Sequence, residues 1–340
     1  MLNEARLTAY LREHAPAIGV PVSIEALSGG QSNPTFRLRG KDGRSYVLRK
    51  QPEGELLPSA HAVDREYRVI TALGATAVPV PATYCYCDDR DVIGTRFFVM
   101  EFAEGRHFWN PALPELDRAH RAALWDDINA VVARLHRVDY ARIGLADYGR
   151  PGNYFERQIA RWTGQYRASE TERIESMERL VEWLPRNIIQ DQSCAVVHGD
   201  FRLDNLIVHP TEPRVIAVLD WELSTLGHPL ADFAYHVMAW RLTWDEFRGM
   251  AGHDLPALGI PSEQEYLARY CERTGRPDIE PHDWEFCVAF SMFRLAAILQ
   301  GVAKRALTGT STDAGAAEVG RRARAIADAG WRQVDAMGVQ

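Results

Sequence analysis

The chain has 340 residues, 39 basic against 46 acidic side chains, a formal charge of −7 and five cysteines. That length suits two domains or one domain in two lobes, and 46% apolar with 25% charged residues is a composition that buries a large core and excludes disorder over most of the chain. A net negative charge without basic runs argues against a binder of nucleic-acid backbones, because such binding needs clustered Lys and Arg. Residues 1–20 scatter charges among their apolar positions, unlike a secretion signal. No run of about 18 consecutive apolar residues is present to cross a bilayer. A cytoplasmic protein with no membrane or nucleic-acid partner is expected. Cys85, Cys87, Cys194, Cys271 and Cys287 lack the paired spacing of a zinc or redox motif and read as reduced thiols.

In chain order, short β-type runs come first, over 35–38, 45–50 and 95–102, and the turn Gly40-Lys41-Asp42-Gly43 joins the first two as a hairpin. One helix interrupts them over 61–73, where Val63, Tyr67, Ile70 and Leu73 share a face and Gly74 offers a stop. Near residue 104 the character changes. Helical periodicity then dominates, as over 115–138, where Leu124, Ile128, Val131, Leu135 and Val138 recur at steps of four and three. The expected organisation is a first lobe at 1–104 and a mostly helical second lobe at 105–340.

The segment 194–222 carries the chemistry. An apolar run leads into His198-Gly199-Asp200, then come Asn205, a short run over 206–208, a Pro-containing turn, and a strand over 215–219 ending on Asp220. If the runs flanking the turn pair as a hairpin, Asn205 and Asp220 become neighbours across the ladder, with Asp200 five residues before Asn205. A carboxylate plus a carboxamide is a hard-oxygen set suited to Mg²⁺, which completes its shell with water and substrate phosphates. Asp200 is then left to orient an attacking hydroxyl and accept its proton, the division of labour that phosphoryl transfer requires.

His198-Gly199-Asp200-Phe201-Arg202-Leu203-Asp204-Asn205 has the kinase catalytic-loop spacing H-x-D-x-x-x-x-N. Its central glycine resembles the aminoglycoside phosphotransferase and choline kinase side of the kinase superfamily. So do Leu219-Asp220-Trp221-Glu222 and Gly227-His228-Pro229-Leu230-Ala231-Asp232-Phe233. Tyr46-Val47-Leu48-Arg49-Lys50, Leu57-Pro58-Ser59-Ala60-His61 and Asp64-Arg65-Glu66-Tyr67 resemble the branch also found joined to acyl-CoA dehydrogenases.

The resemblance, over roughly 25–300, implies an α+β, bilobal protein-kinase-like fold. It has a small lobe with an antiparallel sheet and one main helix, and a larger helical lobe holding the acceptor site. It implies ATP and Mg²⁺ as cofactors, Asp200 as base, Asn205 and Asp220 as metal ligands, His198 as a brace for the loop, and Arg202 as a cation near the transferred phosphoryl group. Arg49, or Lys50 as second choice, would hold phosphates with Glu66 as partner. The glycine loop departs from pattern, with Gly30, Ser32 and Asn33 as its candidate phosphate contacts. Backbone groups of Glu101 and Phe102 would meet adenine. Asp232 reads as a cap for the helix through Met238, with a tether to the catalytic loop as the family alternative.

The expected activity is transfer of the γ-phosphoryl group of ATP to a hydroxyl of a small molecule, with an unidentified acceptor for which a hydroxyacyl compound is one reading. The alternatives are a catalytically inactive nucleotide-binding module and an aminoglycoside phosphotransferase proper. A metal hydrolase using His198, Asp200 and His228 is a third class. Arg157, Arg161 and Arg294 lean toward an anionic acceptor, although Trp284, Phe286, Phe290 and Phe293 beside Arg294 read first as a buried helix face. Oligomeric state, including a homodimer, is not set by the sequence.

Overall fold

The computed structural model describes residues 2–27, 33–53, 62–309 and 315–338. The first lobe contains α1 (Glu4–His14), β1 (Ser23–Ala26), β2 (Thr35–Arg39), β3 (Ser45–Lys50), α2 (Val63–Leu73), β4 (Thr83–Cys87), α3 (Arg90–Ile93) and β5 (Phe97–Glu101). Its five strands form one sheet in the order β1-β2-β3-β5-β4, each neighbouring pair antiparallel. The hairpin over 35–50 and the strand before residue 102 are where the sequence placed them. Among the described residues of this lobe the expected main helix is α2, which packs against the sheet beside the second lobe, and two shorter or outer helices, α1 and α3, accompany it.

Alternation along β3 divides its side chains between two cores. Tyr46 and Leu48 pack with Leu7 and Leu11 of α1, Phe97 and Val99 on the outer face. Val47 joins Val69, Ile70 and Leu73 of α2 and the large core that continues into the second lobe. With a period of two, Arg49 therefore projects on the α2 side with Val47.

The second lobe contains α4 (Arg118–His136), α5 (Tyr154–Ser169), α6 (Glu175–Trp183), β6 (Ala195–Val197), β7 (Leu206–Val208), β8 (Val215–Val218), β9 (Thr225–Gly227), α7 (Pro229–Val237), α8 (Trp244–Phe247), α9 (Leu255–Leu258), α10 (Glu263–Thr274), α11 (Pro281–Leu307) and α12 (Ala316–Ala336). Two short ladders support the loops between them: β6 with β9, and β7 with β8. By length and composition α11 is apolar enough to cross a membrane, which the sequence reading did not flag. Its 18-residue apolar window has mean hydropathy 1.7 and is 78% buried inside the fold. Trp284, Phe286, Phe290 and Phe293 lie on its buried surface, as the core reading expected.

Candidate functional site

The loop from His198 to Asn205 is held from beneath by α7. Asp232 accepts from the backbone N–H groups of His198 and Gly199 at 2.7 and 2.8 Å and faces His136 Nε2 at 3.2 Å. The expected helix cap is instead supplied by His228, whose Nδ1 accepts from the Leu230 N–H. Asp232 is thus a tether, and it is buried with three partners that balance its charge. Gly199 has φ +83°, and a β-carbon there would lie 2.6 Å from the Leu223 carbonyl oxygen, so the sharp turn before Asp200 admits only glycine.

His198 is fully buried. Its Nε2 is 2.8 Å from the Leu219 carbonyl, while its Nδ1 accepts from the Asp200 N–H at 3.1 Å. Both ring nitrogens are occupied by backbone, so the imidazole joins the Asp200 loop to the end of β8 rather than facing a ligand.

Asp200 receives Arg202 Nε at 2.8 Å and Arg202 Nη2 at 3.3 Å. The Asn205 amide nitrogen donates to the Asp200 carbonyl at 2.8 Å and to its carboxylate at 3.0 Å. Leu206 pairs with Val218, and the Leu219 N–H donates to the Asn205 carbonyl at 2.8 Å, so Asn205 and Asp220 sit at adjoining strand ends. Asp220 has φ +63°, a left-handed backbone that a non-glycine residue adopts at a cost of about 1 kcal/mol or more.

From the first lobe, Arg49 reaches the same place. Its Nε lies 2.8 Å from Glu66 Oε2, and its Nη2 lies 2.7 Å from Asp220 Oδ1 and 3.8 Å from Glu222 Oε2. Burial lowers the affinity of this guanidinium for its proton, but Glu66, Asp220 and Glu222 outweigh it and hold Arg49 above its ordinary value. Burial, assisted by the like charges of Asp220 and Glu222, pushes the Glu66 carboxyl up to about 7 against the pull of Arg49. Lys50 lies on the opposite face of β3, paired with Glu53 at 2.8 Å, and does not join this group.

The other candidates divide. Gly30 and Ser32 lie outside the described residues, and Asn33 is buried two residues before β2. The Glu101 N–H donates to the Ala82 carbonyl at 2.7 Å and is not free for adenine. Phe102, whose ring lies under the Arg37 guanidinium at 4.5 Å, makes no backbone hydrogen bond among the described residues.

A cleft beside the Asp200–Arg202 pair is lined in part by Trp109, Arg202, Asp204, Tyr235, Phe247 and Arg248. Asp204 pairs with both Arg202 at 3.2 Å and Arg248 at 3.1 Å. Burial works against the Arg202 charge, but Asp200 and Asp204 hold the guanidinium above its usual range. Sequence reasoning missed Tyr235, which follows Asp232 by one helical turn and couples electrostatically to Asp200. That i, i+3 spacing was the signal that could have found it.

The donor set suits a divalent cation. The Asn205 amide nitrogen is engaged with Asp200, which leaves its Oδ1 without a protein donor among the described residues. Asp220 is 38% exposed, and only its Oδ1 is taken by Arg49. Two hard oxygens at adjoining strand ends are therefore left without a protein donor, a partial shell of the kind Mg²⁺ accepts.

The profile of the phosphotransferase enzyme family matches residues 23–281. The chain belongs to that family. A Ralstonia eutropha protein provisionally called an aminoglycoside phosphotransferase is 50% identical, with a TM-score of 0.90 over 98% of this chain and 99% of that one. Mouse acyl-CoA dehydrogenase family member 10 is 47% identical over 92% of this chain, and human acyl-CoA dehydrogenase family member 11 is 42% identical over 90%. The chain spans 29% and 40% of the lengths of those two curated relatives, in keeping with the fused branch of the phosphotransferase family. Spectinomycin phosphotransferase in complex with ADP and spectinomycin shares the fold at a TM-score of 0.63 and 11% identity, covering 97% of this chain and 98% of that one. A Plasmodium vivax ethanolamine kinase shares it at 0.56 and 14%, covering 90% and 82%. The α+β, kinase-like architecture that the resemblance implied is thus the architecture of the family, and phosphotransferase chemistry comes with it.

Proposed function

We propose that this phosphotransferase moves the γ-phosphoryl group of ATP to a hydroxyl on a small molecule, with Mg²⁺ as cofactor. The observation that carries this reading is the chain of contacts in which Asn205 holds Asp200 and stands beside Asp220 at adjoining strand ends, while Arg49 reaches Asp220 from the first lobe. Asn205 Oδ1 and Asp220 would hold the metal, whose chemistry is to neutralise phosphate charge during transfer. Arg49, kept in place by Glu66, is positioned to meet phosphate oxygens. Phe102 offers backbone groups to adenine.

Asp200 orients the acceptor hydroxyl and takes its proton as the acceptor oxygen bonds to the γ-phosphorus and the bond to ADP breaks. Arg202 and Asn205 fix the direction of that carboxylate, which matters more here than base strength because the transfer is limited mainly by positioning and charge.

The acceptor cleft favours a hydroxyacyl compound over an aminoglycoside. A polycation needs free carboxylates, and Asp204 is already shared by Arg202 and Arg248. The wall of Trp109, Phe247 and Tyr235 suits an apolar chain. The names of the acyl-CoA dehydrogenase relatives agree with that chemistry.

ATP consumption measured against aminoglycosides, amino alcohols, sugars and hydroxyacyl compounds tests the reading. Mg²⁺-dependent consumption stimulated by an alcohol supports it. Binding of ATP with no stimulation by any of the four classes would overturn it in favour of a nucleotide-binding module, the reading that an arginine at position 49, in place of the usual kinase lysine, also allows.

A further inference from the structure

Arg294 is an exception among the buried arginines. It stands on α11 with 5% of its surface exposed. Two aromatic rings flank it, Tyr235 at 4.8 Å and Trp162 at 5.4 Å from the guanidinium carbon. A ring face attracts the cation but supplies no oxygen acceptor to its N–H donors. Among the described residues no carboxylate or carbonyl accepts from it.

Arg121, the other arginine buried as deeply, donates to the carbonyls of Leu113, Leu116 and Leu258. Arg241 is held by Glu263 and Glu285. None of the Arg294 nitrogens is among the sealed polar atoms that lack a partner, so its unclaimed donors reach solvent-filled space rather than being shut inside the core. A fold that supplies acceptors to its other buried arginines and none to this one leaves those donors for a ligand.

The surroundings strengthen the positive field. Arg161, exposed on α5, lies 5.3 Å from the same Trp162 ring and has no carboxylate partner among the described residues. Arg157 contributes nothing, because its donors go to the carbonyls of Arg150 and Gly152. Tyr235 joins this patch to the reaction centre: one ring face meets Arg294, the side chain lines the cleft with Arg202, and Asp200 lies beyond.

We propose that Arg294 seats an anionic group of the acceptor, a carboxylate or a phosphate, one tyrosine ring away from Asp200. The proposal rests on the kinase reading for the word acceptor, but anion binding at Arg294 stands apart from turnover. The seat fixes one end of the acceptor so that a hydroxyl along its chain meets Asp200, and it turns polycationic alcohols away.

Calorimetric titration of the full chain, loaded with a non-hydrolysable ATP analogue and Mg²⁺ so that the nucleotide site is filled, uses butyrate and inorganic phosphate as separate probes. The wild type binds one or both, which identifies the carboxylate or phosphate source. Arg294→Met weakens that binding by about tenfold or more, and Arg294→Lys retains an intermediate affinity. The thermal midpoint of Arg294→Met in the absence of ligand stays close to that of the wild type, because no hydrogen bond or ion pair to the protein is lost; a merely structural arginine would give a clear fall. In turnover assays, hydroxycarboxylates or hydroxyalkyl phosphates exceed their neutral amides or ethers, and the methionine variant loses that preference through KM. Binding of neither probe by the wild type, or equal binding by wild type and Arg294→Met, overturns the seat. Anion binding without phosphorylation of any alcohol overturns the kinase reading instead and leaves the seat standing.

Discussion

Arg49 Nη2 sits 2.7 Å from Asp220 Oδ1 while the same guanidinium holds Glu66 through Nε. Two nitrogens of one fork thereby join β3, α2 and the end of β8. A lysine ammonium is a single point on a flexible stem and cannot keep both contacts in this geometry. Arg49→Lys is therefore expected to weaken ATP binding by about tenfold. Arg49→Met leaves Glu66, Asp220 and Glu222 without their shared cation and is expected to lose about 3 kcal/mol of stability or more. Nucleotide titration and urea denaturation of both variants check these outcomes.

The tether from α7 gives a second expectation. Asp232→Asn keeps the shape of the side chain but replaces one accepting oxygen with a donor, although the His198 and Gly199 amides call for two acceptors. A loss of about 2 to 3 kcal/mol and a fall in kcat should appear together. Gly199→Ala should do the same from the other side, because its new β-carbon meets the Leu223 carbonyl at φ +83°. Denaturation and steady-state turnover on the two variants provide the measurement.

Stability should decline on the acid side. Burial pushes His228 down to about 4 despite Asp191, and His236 down to about 4 despite Asp232. In the unfolded chain both return to about 6.5. Between those values the unfolded state binds more protons, so the stabilisation is complete above about pH 6.5 and is lost as pH falls toward about 4. Glu66, pushed up to about 7, opposes this trend between about pH 4.5 and 7, so the two histidines set the net direction, and Asp232 adds to the decline only below about pH 4. Burial raises its carboxyl, but His136 and the His198 amide outweigh this and leave it below its usual value. Denaturant melts from about pH 7.5 to 4.5 should show the decline, and His236→Gln should make it shallower.

Mg²⁺ dependence should separate the two oxygen donors from their neighbours. Chelation with EDTA is expected to abolish turnover, and added Mg²⁺ to restore it. Asn205→Ala and Asp220→Asn should each raise the Mg²⁺ concentration for half-maximal rate by about tenfold or more. Titration of rate against Mg²⁺ at saturating ATP tests this, with Glu53→Gln, distant from the cluster on the Lys50 side, as the comparison.

The second half of the site was more legible than the first. The spacing from His198 to Asn205 and the hairpin before Asp220 are local patterns, and a two-residue period put Arg49 opposite Lys50 before any coordinates. Choosing between them needed the tertiary contact, because only packing tells which side of β3 faces α2. β1 is four residues with two exposed side chains, and α1 buries only Leu7 and Leu11, so neither announced itself by hydrophobic pattern. Asp232 was readable as a helix-start residue, and its actual role depended on which loop lay above it. Tyr235 and Arg294 come together from helices 59 positions apart in sequence, a relation that no local period encodes.

Turnover and nucleotide binding measured side by side on Asp200→Asn test the central claim most directly. The asparagine keeps the size of the side chain and cannot take the acceptor's proton. ATP affinity should stay within about threefold of the wild type, while kcat for any accepted alcohol falls by about 10² to 10⁴. Undiminished phosphoryl transfer by the asparagine variant would contradict the account.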